Sequence, residues 1–160
     1  MKIVSNASPL IFLAKIGRLN LLNDYEIVMP KQVYEEINKG AEAKEDAQKI
    51  KTLVDKSIIK VEEINILNEI EQHSLGKGEK AAISLSISRK IGIILLDERK
   101  ARRIAKFYQL KPKGTIGILI DAWKNKKITK EELKESIKKL IEEGFRINEE
   151  LIIKLLNEIE

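Results

Sequence analysis

The chain has 160 residues, of which 43% are hydrophobic and 34% are charged, and its formal net charge is +5. Because it has no cysteine, disulfides and thiolate metal sites are excluded, and a cytoplasmic location is expected. No apolar run approaches the roughly 18 residues that a membrane span needs. We therefore expect no membrane partner and a single domain over residues 1–160.

Strand and helix patterns alternate through the first half of the chain. Residues 1–5 and 26–29 predict strands, and a helix is predicted after each of them. The first helix should begin at Ser8-Pro9, with Ser8 as the capping residue, and the second should cover 32–39 and end at Gly40. A charged helix is then predicted over about 43–56, a strand over 58–64 and a short helix over 65–72.

The second half contains the clearest strand signal. A helix over 78–90 is followed by the uninterrupted apolar run "GIILL" at 92–96, which is typical of a strand buried on both faces of a parallel sheet. A helix near 101–108, an edge strand over 111–113, a helix capped by Thr115 and helices over about 130–143 and 148–159 follow. The pattern predicts a three-layer α/β/α fold with a parallel sheet of four or five strands, and a C-terminal helical extension over 130–160.

Such a fold forms its sites beyond the carboxyl ends of parallel strands, which points to Asn6 and Asp97, and two acids on helices are further candidates. Asn6 follows the first strand, Asp97 follows the apolar strand, Glu79 lies near the start of the preceding helix, and Glu36 lies within the helix after the second strand. Structural roles are also open for the acids. Asp97 could cap a helix, Glu79 favours a helix dipole, and Glu36 could be an ordinary surface charge.

A basic stretch runs from residue 89 to residue 130. It holds thirteen Lys and Arg residues against three acidic ones, a local charge of about +10. Charge of this sign favours nucleic acid as a partner, although a solvated lysine-rich surface gives the same pattern. We expect the cations that follow Asp97 to contact nucleic acid. They are Arg99, Lys100, Arg102 and Arg103.

The sequence lacks the residues that several other mechanisms require. A ribonuclease mechanism that uses two imidazoles is excluded because His73 is the only histidine. The phosphate-binding loop GxxxxGK[ST] and the dinucleotide motif GxGxxG are both absent. A receiver-type phosphorylation domain is also disfavoured, since the first strand ends without a pair of acids.

Four stretches, in this order, carry a resemblance to a known family: "VSNASPLIFLAKIGRLNLL", "VMPKQVYEEINKG", "GKGEKAAISLS" and "IILLDERKARRIA". Together they resemble the PIN-domain family, and in particular its prokaryotic branch related to the VapC-like toxin ribonucleases of toxin–antitoxin pairs. The continuation "KPKGTIGILIDAWKNKKIT" and the later "GFRINEEL" are similar to a largely uncharacterised group of that branch. The resemblance covers almost the whole chain.

The resemblance implies a ribonuclease that depends on Mg²⁺ or Mn²⁺. Its metal ligands would be Asn6, Glu36, Glu79 and Asp97, of which the three acids would be catalytic. Ser8 and Glu98 would contact and orient these ligands without binding the metal themselves. Oxygen ligands suit such hard cations, which lower the pKa of bound water and neutralise charge on phosphorus oxygens. The resemblance also implies RNA as substrate, a homodimer and a small antitoxin protein as candidate partner.

Asn6 stands where the family usually carries an aspartate. An amide oxygen can still bind a metal, but it brings no negative charge and cannot act as a base. Two functions therefore stay open. In one, the three acids suffice for a metal-dependent ribonuclease. In the other, the site is impaired and the protein is a module that binds RNA or a protein partner.

Overall fold

The computed structural model describes residues 1–39 and 44–159, and it contains a five-stranded parallel sheet. The strands are β1 (Lys2–Ser5), β2 (Glu26–Pro30), β3 (Ile59–Glu62), β4 (Ile93–Leu95) and β5 (Lys111–Lys113). Their order across the sheet is β3-β2-β1-β4-β5. The predicted helix boundaries at Gly40 and residue 43 lie outside the described residues.

Helices cover both faces of this sheet. In the described residues they are α1 (Ala7–Lys15), α2 (Lys31–Lys39), α3 (Glu45–Asp55), α4 (Asn68–Glu71), α5 (Lys77–Arg89), α6 (Arg99–Phe107), α7 (Thr115–Lys124), α8 (Lys130–Glu142) and α9 (Glu149–Ile159). None of them has the length and apolarity that a crossing of the membrane requires. The predicted three-layer α/β/α architecture is confirmed, with five strands in the sheet.

Alternating strand residues feed two separate cores. Ile3 of β1 packs into a core with α1, α2, α3, α7 and α8, while the next residue, Val4, packs into a core with α5 and α6 on the opposite face. This is the alternation that a pleated strand imposes on its side chains. The C-terminal helices join the first core through Leu133, Leu140 and Leu155.

The strand order creates a crevice between β1 and β4. The chain moves from β1 to β2 and β3 on one side, then returns to β4 and β5 on the other. Ser5 pairs with Leu95, and the N–H of Asn6 donates to the carbonyl of Leu95 over 3.0 Å. The carboxyl ends of β1 and β4 therefore meet where open parallel sheets form their binding crevices.

Two predicted helix starts were wrong by one or two residues. α1 begins at Ala7 with Asn6 as its N-cap, so Ser8 lies inside the first turn. α7 begins at Thr115 with Gly114 as its N-cap, so Thr115 is the first helical residue. In both places the chain turns into the helix at the sheet edge, and the hydroxyl oxygen contacts Asp97 instead of capping its own helix.

Candidate functional site

A cleft of about 660 Å³ opens at the carboxyl ends of β1 and β4. We call it the acidic cleft because five carboxylates and three cations line it. The carboxylates are those of Glu35, Glu36, Glu79, Asp97 and Glu98, and the cations are Lys39, Lys77 and Arg146. Asn6 and Ser8 also line it. All six residues predicted as metal ligands or as their supports therefore reach one cavity.

Asn6 presents an unpaired oxygen to this cleft. It is only 7% exposed, and its Oδ1 is buried without a hydrogen-bond donor among the described residues. As N-cap of α1, the side chain could accept the N–H of the second or third helical residue, but the third is Pro9, which has none, and no bond from the second, Ser8, is formed. A buried acceptor without a donor costs free energy, so this oxygen is suited to a cation or a water molecule.

The carboxylate of Glu36 lies in the same part of the cleft, directly beside Gly78. A Cβ atom on Gly78 would lie 2.6 Å from Oε2 of Glu36 and 3.4 Å from Oδ1 of Asn6. The two oxygens therefore flank one small space, and that space exists only because residue 78 has no side chain. Glu36, on α2, is brought towards β1 by the packing of α2 against α5.

Asp97 is held by three hydrogen bonds from two helix N-termini. Its Oδ1 accepts the backbone N–H of Thr115 over 2.7 Å, and its Oδ2 accepts the hydroxyls of Thr115 and Ser8 over 2.7 and 2.9 Å. The predicted alternative, in which Asp97 caps the helix that follows it, was wrong. Glu98 is that cap, and its two oxygens accept the N–H groups of Lys100 and Ala101.

The surroundings of Glu79 disfavour the ionised form of its carboxyl group. It is the third residue of α5, and its Oε1 accepts the N–H of Gly76 over 3.1 Å. Burial raises the pKa of the Glu79 carboxyl above its usual value, and repulsion from Glu98 and Glu36 raises it further, against the lowering effect of the Gly76 hydrogen bond. A bound cation would relieve both the repulsion and the loss of solvation.

The raised pKa of Glu79 predicts how Glu79→Gln changes stability with pH. A raised pKa means that the folded state binds the proton more tightly, so ionised Glu79 costs stability above its folded pKa, and the cost disappears as the pH falls to the usual value near 4.5. In EDTA at pH 7, Glu79→Gln should raise the Tm by up to a few degrees, because Gln can still accept the Gly76 N–H. Thermal unfolding between pH 4 and pH 8 measures the effect.

Glu132 provides the matched control, since it occupies the same position in α8 and accepts the N–H of Thr129. That hydrogen bond lowers the pKa of Glu132, with help from Arg18. Glu132→Gln should therefore lower the Tm at pH 7, and this loss should fade as the pH falls through the folded pKa. Equal signs for the two variants would contradict the account of Glu79.

The donor set of the acidic cleft fits a hard divalent cation. Carboxylate and amide oxygens are the ligands that Mg²⁺ and Mn²⁺ prefer, and Mg²⁺ commonly binds through one or two carboxylates with several waters. Within residues 1–39 and 44–159, no three acidic or histidine side chains lie close enough to share one metal ion. Asn6, Glu36, Glu79 and Asp97 thus line a common cleft and do not form a closed cage of ligands.

A second cleft of about 680 Å³ adjoins the first, between α6, α7 and α9. We call it the basic cleft because eight cations and four carboxylates line it. The cations are Arg99, Arg102, Arg103, Lys106, Lys113, Lys124, Arg146 and Lys154, and the acids are Asp97, Asp121, Glu150 and Glu158. The two clefts share Asp97, Phe145 and Arg146. Positive charge therefore begins directly beside the acids.

The four cations predicted to contact nucleic acid have different environments. Arg103 lines the basic cleft without an ion pair among the described residues, while Arg99 pairs with Glu150 over 3.5 Å. The guanidinium of Arg102 donates to the carbonyl of Leu96 over 2.9 Å, so it supports the chain that leads to Asp97. Lys100 lines neither of the two clefts.

Two features of the clefts were missed by sequence reasoning. In the sequence Gly78 indicates only the start of a helix, whereas in the structure its missing side chain makes room for Glu36. Arg146 lies outside the basic stretch and was noticed only within the quoted "GFRINEEL". Both depend on contacts between distant parts of the chain, which local patterns do not record.

Comparison with known proteins gives one match. The family model described as "DUF3368: PIN domain" matches residues 2–160. Neither the curated proteins nor the solved structures gave a match. The match spans both clefts and all five strands.

Proposed function

Because the chain belongs to the PIN-domain family, whose members are generally nucleases, we propose that it hydrolyses RNA phosphodiester bonds with Mg²⁺ or Mn²⁺ as cofactor. The observation that carries the proposal is the buried Oδ1 of Asn6, which has no hydrogen-bond donor among the described residues and lies beside Glu36. A cation would bind this oxygen and, at the same time, would lower the pKa of Glu79 by stabilising its carboxylate.

The side chains of the acidic cleft would have two roles, metal binding and the orientation of a metal ligand. Asn6, Glu36, Glu79 and Asp97 would offer the oxygen ligands, from which an ion would take one or two carboxylates and complete its shell with water. Ser8 and Thr115 would orient Asp97. When bound, the ion supplies a water of lowered pKa and neutralises negative charge on the phosphorus oxygens. In the hydrolysis, a water oxygen would bond to phosphorus and give up a proton, the bond from phosphorus to the ribose oxygen would break, and that oxygen would leave with a proton.

A cleavage assay tests this proposal directly. Single-stranded RNA labelled at one end should be cut by the purified chain in millimolar Mn²⁺ or Mg²⁺ and should stay intact in EDTA. Cleavage of DNA of the same sequence, measured in parallel, tests whether the protein prefers RNA. Glu36→Gln should reduce cleavage strongly, whereas Glu45→Gln, in the first turn of α3 and outside both clefts, should not. RNA that stays intact with every divalent ion would overturn the ribonuclease proposal.

The second candidate function is a module that binds RNA or a protein without cutting RNA. The amide of Asn6 favours it, because a neutral ligand contributes less to the binding of a divalent cation than a carboxylate does. The same samples discriminate the two functions. RNA binding in EDTA that persists with Mn²⁺, with no cleavage product, supports the binding module and contradicts the nuclease.

The partners implied by the toxin–antitoxin branch belong to this proposal as well. We expect a homodimer and inhibition by a small antitoxin protein. Apolar side chains at the C-terminal helices support a protein interface, since Ile141, Ile152, Ile153 and Leu156 are each about half exposed. Light scattering measures the mass of the purified chain, and a monomer at high micromolar concentration contradicts the homodimer.

A further inference from the structure

The clefts meet at one cation, which is neither among the predicted metal ligands nor in the basic stretch. Arg146 lines both the acidic and the basic cleft, and it is exposed. Among residues 1–39 and 44–159 it has no ion pair or side-chain hydrogen bond. Of the other seven cations of the basic cleft, three are in the ion pairs Arg99–Glu150, Lys113–Asp121 and Lys124–Glu158, and Arg102 donates to a carbonyl. The remaining three line only the basic cleft, so Arg146 alone among the described cations lines both clefts.

The backbone around Arg146 is fixed on both sides. α8 ends in a Schellman turn, in which Gly144 has a φ of +92° and the N–H of Phe145 donates to the carbonyl of Leu140 over 2.9 Å. The ring of Phe145 packs edge-on against Phe12, with 5.1 Å between centroids. Asn148 then caps α9 by accepting the N–H of Leu151 over 2.8 Å.

An unpaired guanidinium held at this junction is suited to a phosphate. Arginine binds phosphate oxygens through two parallel hydrogen bonds, and it stays charged at any relevant pH. A nucleic-acid backbone that passed from the acidic cleft into the basic cleft would bring its phosphates past Arg146.

We propose that Arg146 binds a backbone phosphate of the RNA and directs the strand from the acidic cleft into the basic cleft. This inference rests on the proposed function, because it identifies how the substrate of that site is held. It assigns to the segment between α8 and α9 a role in substrate binding, in addition to its packing on Phe12.

The test measures binding and cleavage separately. The probe is a fluorescent single-stranded RNA of mixed sequence, titrated in EDTA at several salt concentrations. Arg146→Gln should weaken binding about ten-fold and reduce the slope of log affinity against log salt by about 0.7, the share of one phosphate contact on a single strand. Arg146→Lys should keep the salt slope and recover only part of the affinity, because an ammonium cannot make the bidentate contact.

The control is Arg89→Gln, which removes an arginine that pairs with Glu62 outside both clefts. It should leave RNA binding unchanged, and both Gln variants should keep the wild-type Tm. If Arg146→Gln binds RNA like wild type while wild type cuts RNA in Mn²⁺, the assignment of Arg146 is wrong and the nuclease proposal stands. A wild-type protein that neither binds nor cuts RNA overturns both.

Discussion

Asp97→Asn should lower Mn²⁺-dependent RNA cleavage by about 100-fold or more while the protein stays folded. A bound metal ion contributes several kcal/mol to stabilising the charge that develops in the transition state, and each 1.36 kcal/mol is worth about ten-fold in rate. Loss of a carboxylate ligand would remove much of this contribution. Asparagine has nearly the same shape as aspartate, and its oxygen can still accept the N–H of Thr115. Cleavage rates with enzyme in excess over labelled RNA measure the loss.

The stability of the same variant should fall, but not enough to unfold the protein. Three charge-assisted hydrogen bonds become neutral ones or are rearranged, which should cost about 1–2 kcal/mol and lower the Tm by roughly 2–8 °C. Thr115→Val separates this structural effect from the chemistry, because it removes one hydroxyl donor and leaves the carboxylate in place. It should lower the Tm by a similar amount and retain most of the activity.

Asp55→Asn is the control for the loss of an acid, since Asp55 ends α3 outside both clefts. Its cleavage rate should equal that of wild type. If Asp97→Asn cut RNA at the wild-type rate, the carboxylate of Asp97 would be a structural group that only joins α1 to α7. If it failed to fold, Thr115→Val would show whether the lost hydrogen bonds account for the failure.

Asn6→Asp should increase Mn²⁺ affinity about ten-fold. A unit charge about 4 Å from another at an effective dielectric near 20 is worth on the order of 4 kcal/mol, and repulsion from the neighbouring acids would reduce the net gain to about 1–2 kcal/mol. The side chain is 7% exposed and its Oδ1 is unpaired, so the added charge would have little water to solvate it. Titration calorimetry with Mn²⁺ on both proteins measures the difference.

The same substitution should make folding dependent on the metal. In EDTA a further carboxylate beside Glu36 and Glu79 adds to the repulsion that already raises the pKa of Glu79, so the Tm should fall below that of wild type. Adding Mn²⁺ should restore it. Asn20→Asp, on the 3-10 turn after α1 and outside both clefts, should show neither effect. Equal Mn²⁺ affinities for wild type and Asn6→Asp would remove Asn6 from the metal site.

The strands and the sheet edge could be predicted because their signals are local. Buried parallel strands are short apolar runs, and the residue that follows each strand is fixed by the chain itself, which is why Asn6 and Asp97 were placed at one crevice. Contacts across the fold could not be predicted in this way. The hydroxyl of Thr115 was interpreted as a cap for its own helix, but it donates to Asp97, 18 positions earlier.

Charge patterns were informative in sign and imprecise in position. The basic stretch over 89–130 includes cations that do not line the basic cleft, such as Lys127, which pairs with Asp24. Arg146 and Lys154, which lie beyond this stretch, also line the basic cleft. A count of charges along the chain records how many cations there are, while their grouping depends on how α6, α7 and α9 pack.

The contact between Phe12 and Phe145 joins two parts of the chain that are made far apart in time. During translation, a ribosome has finished β1 and α1 long before it reaches the turn after α8. Until that turn is available, neither cleft has the wall that Phe145 and Arg146 provide. Domains generally fold as units during synthesis. If the proposed function holds, the protein would complete its substrate site only after the codon for residue 146 of its own message had been read.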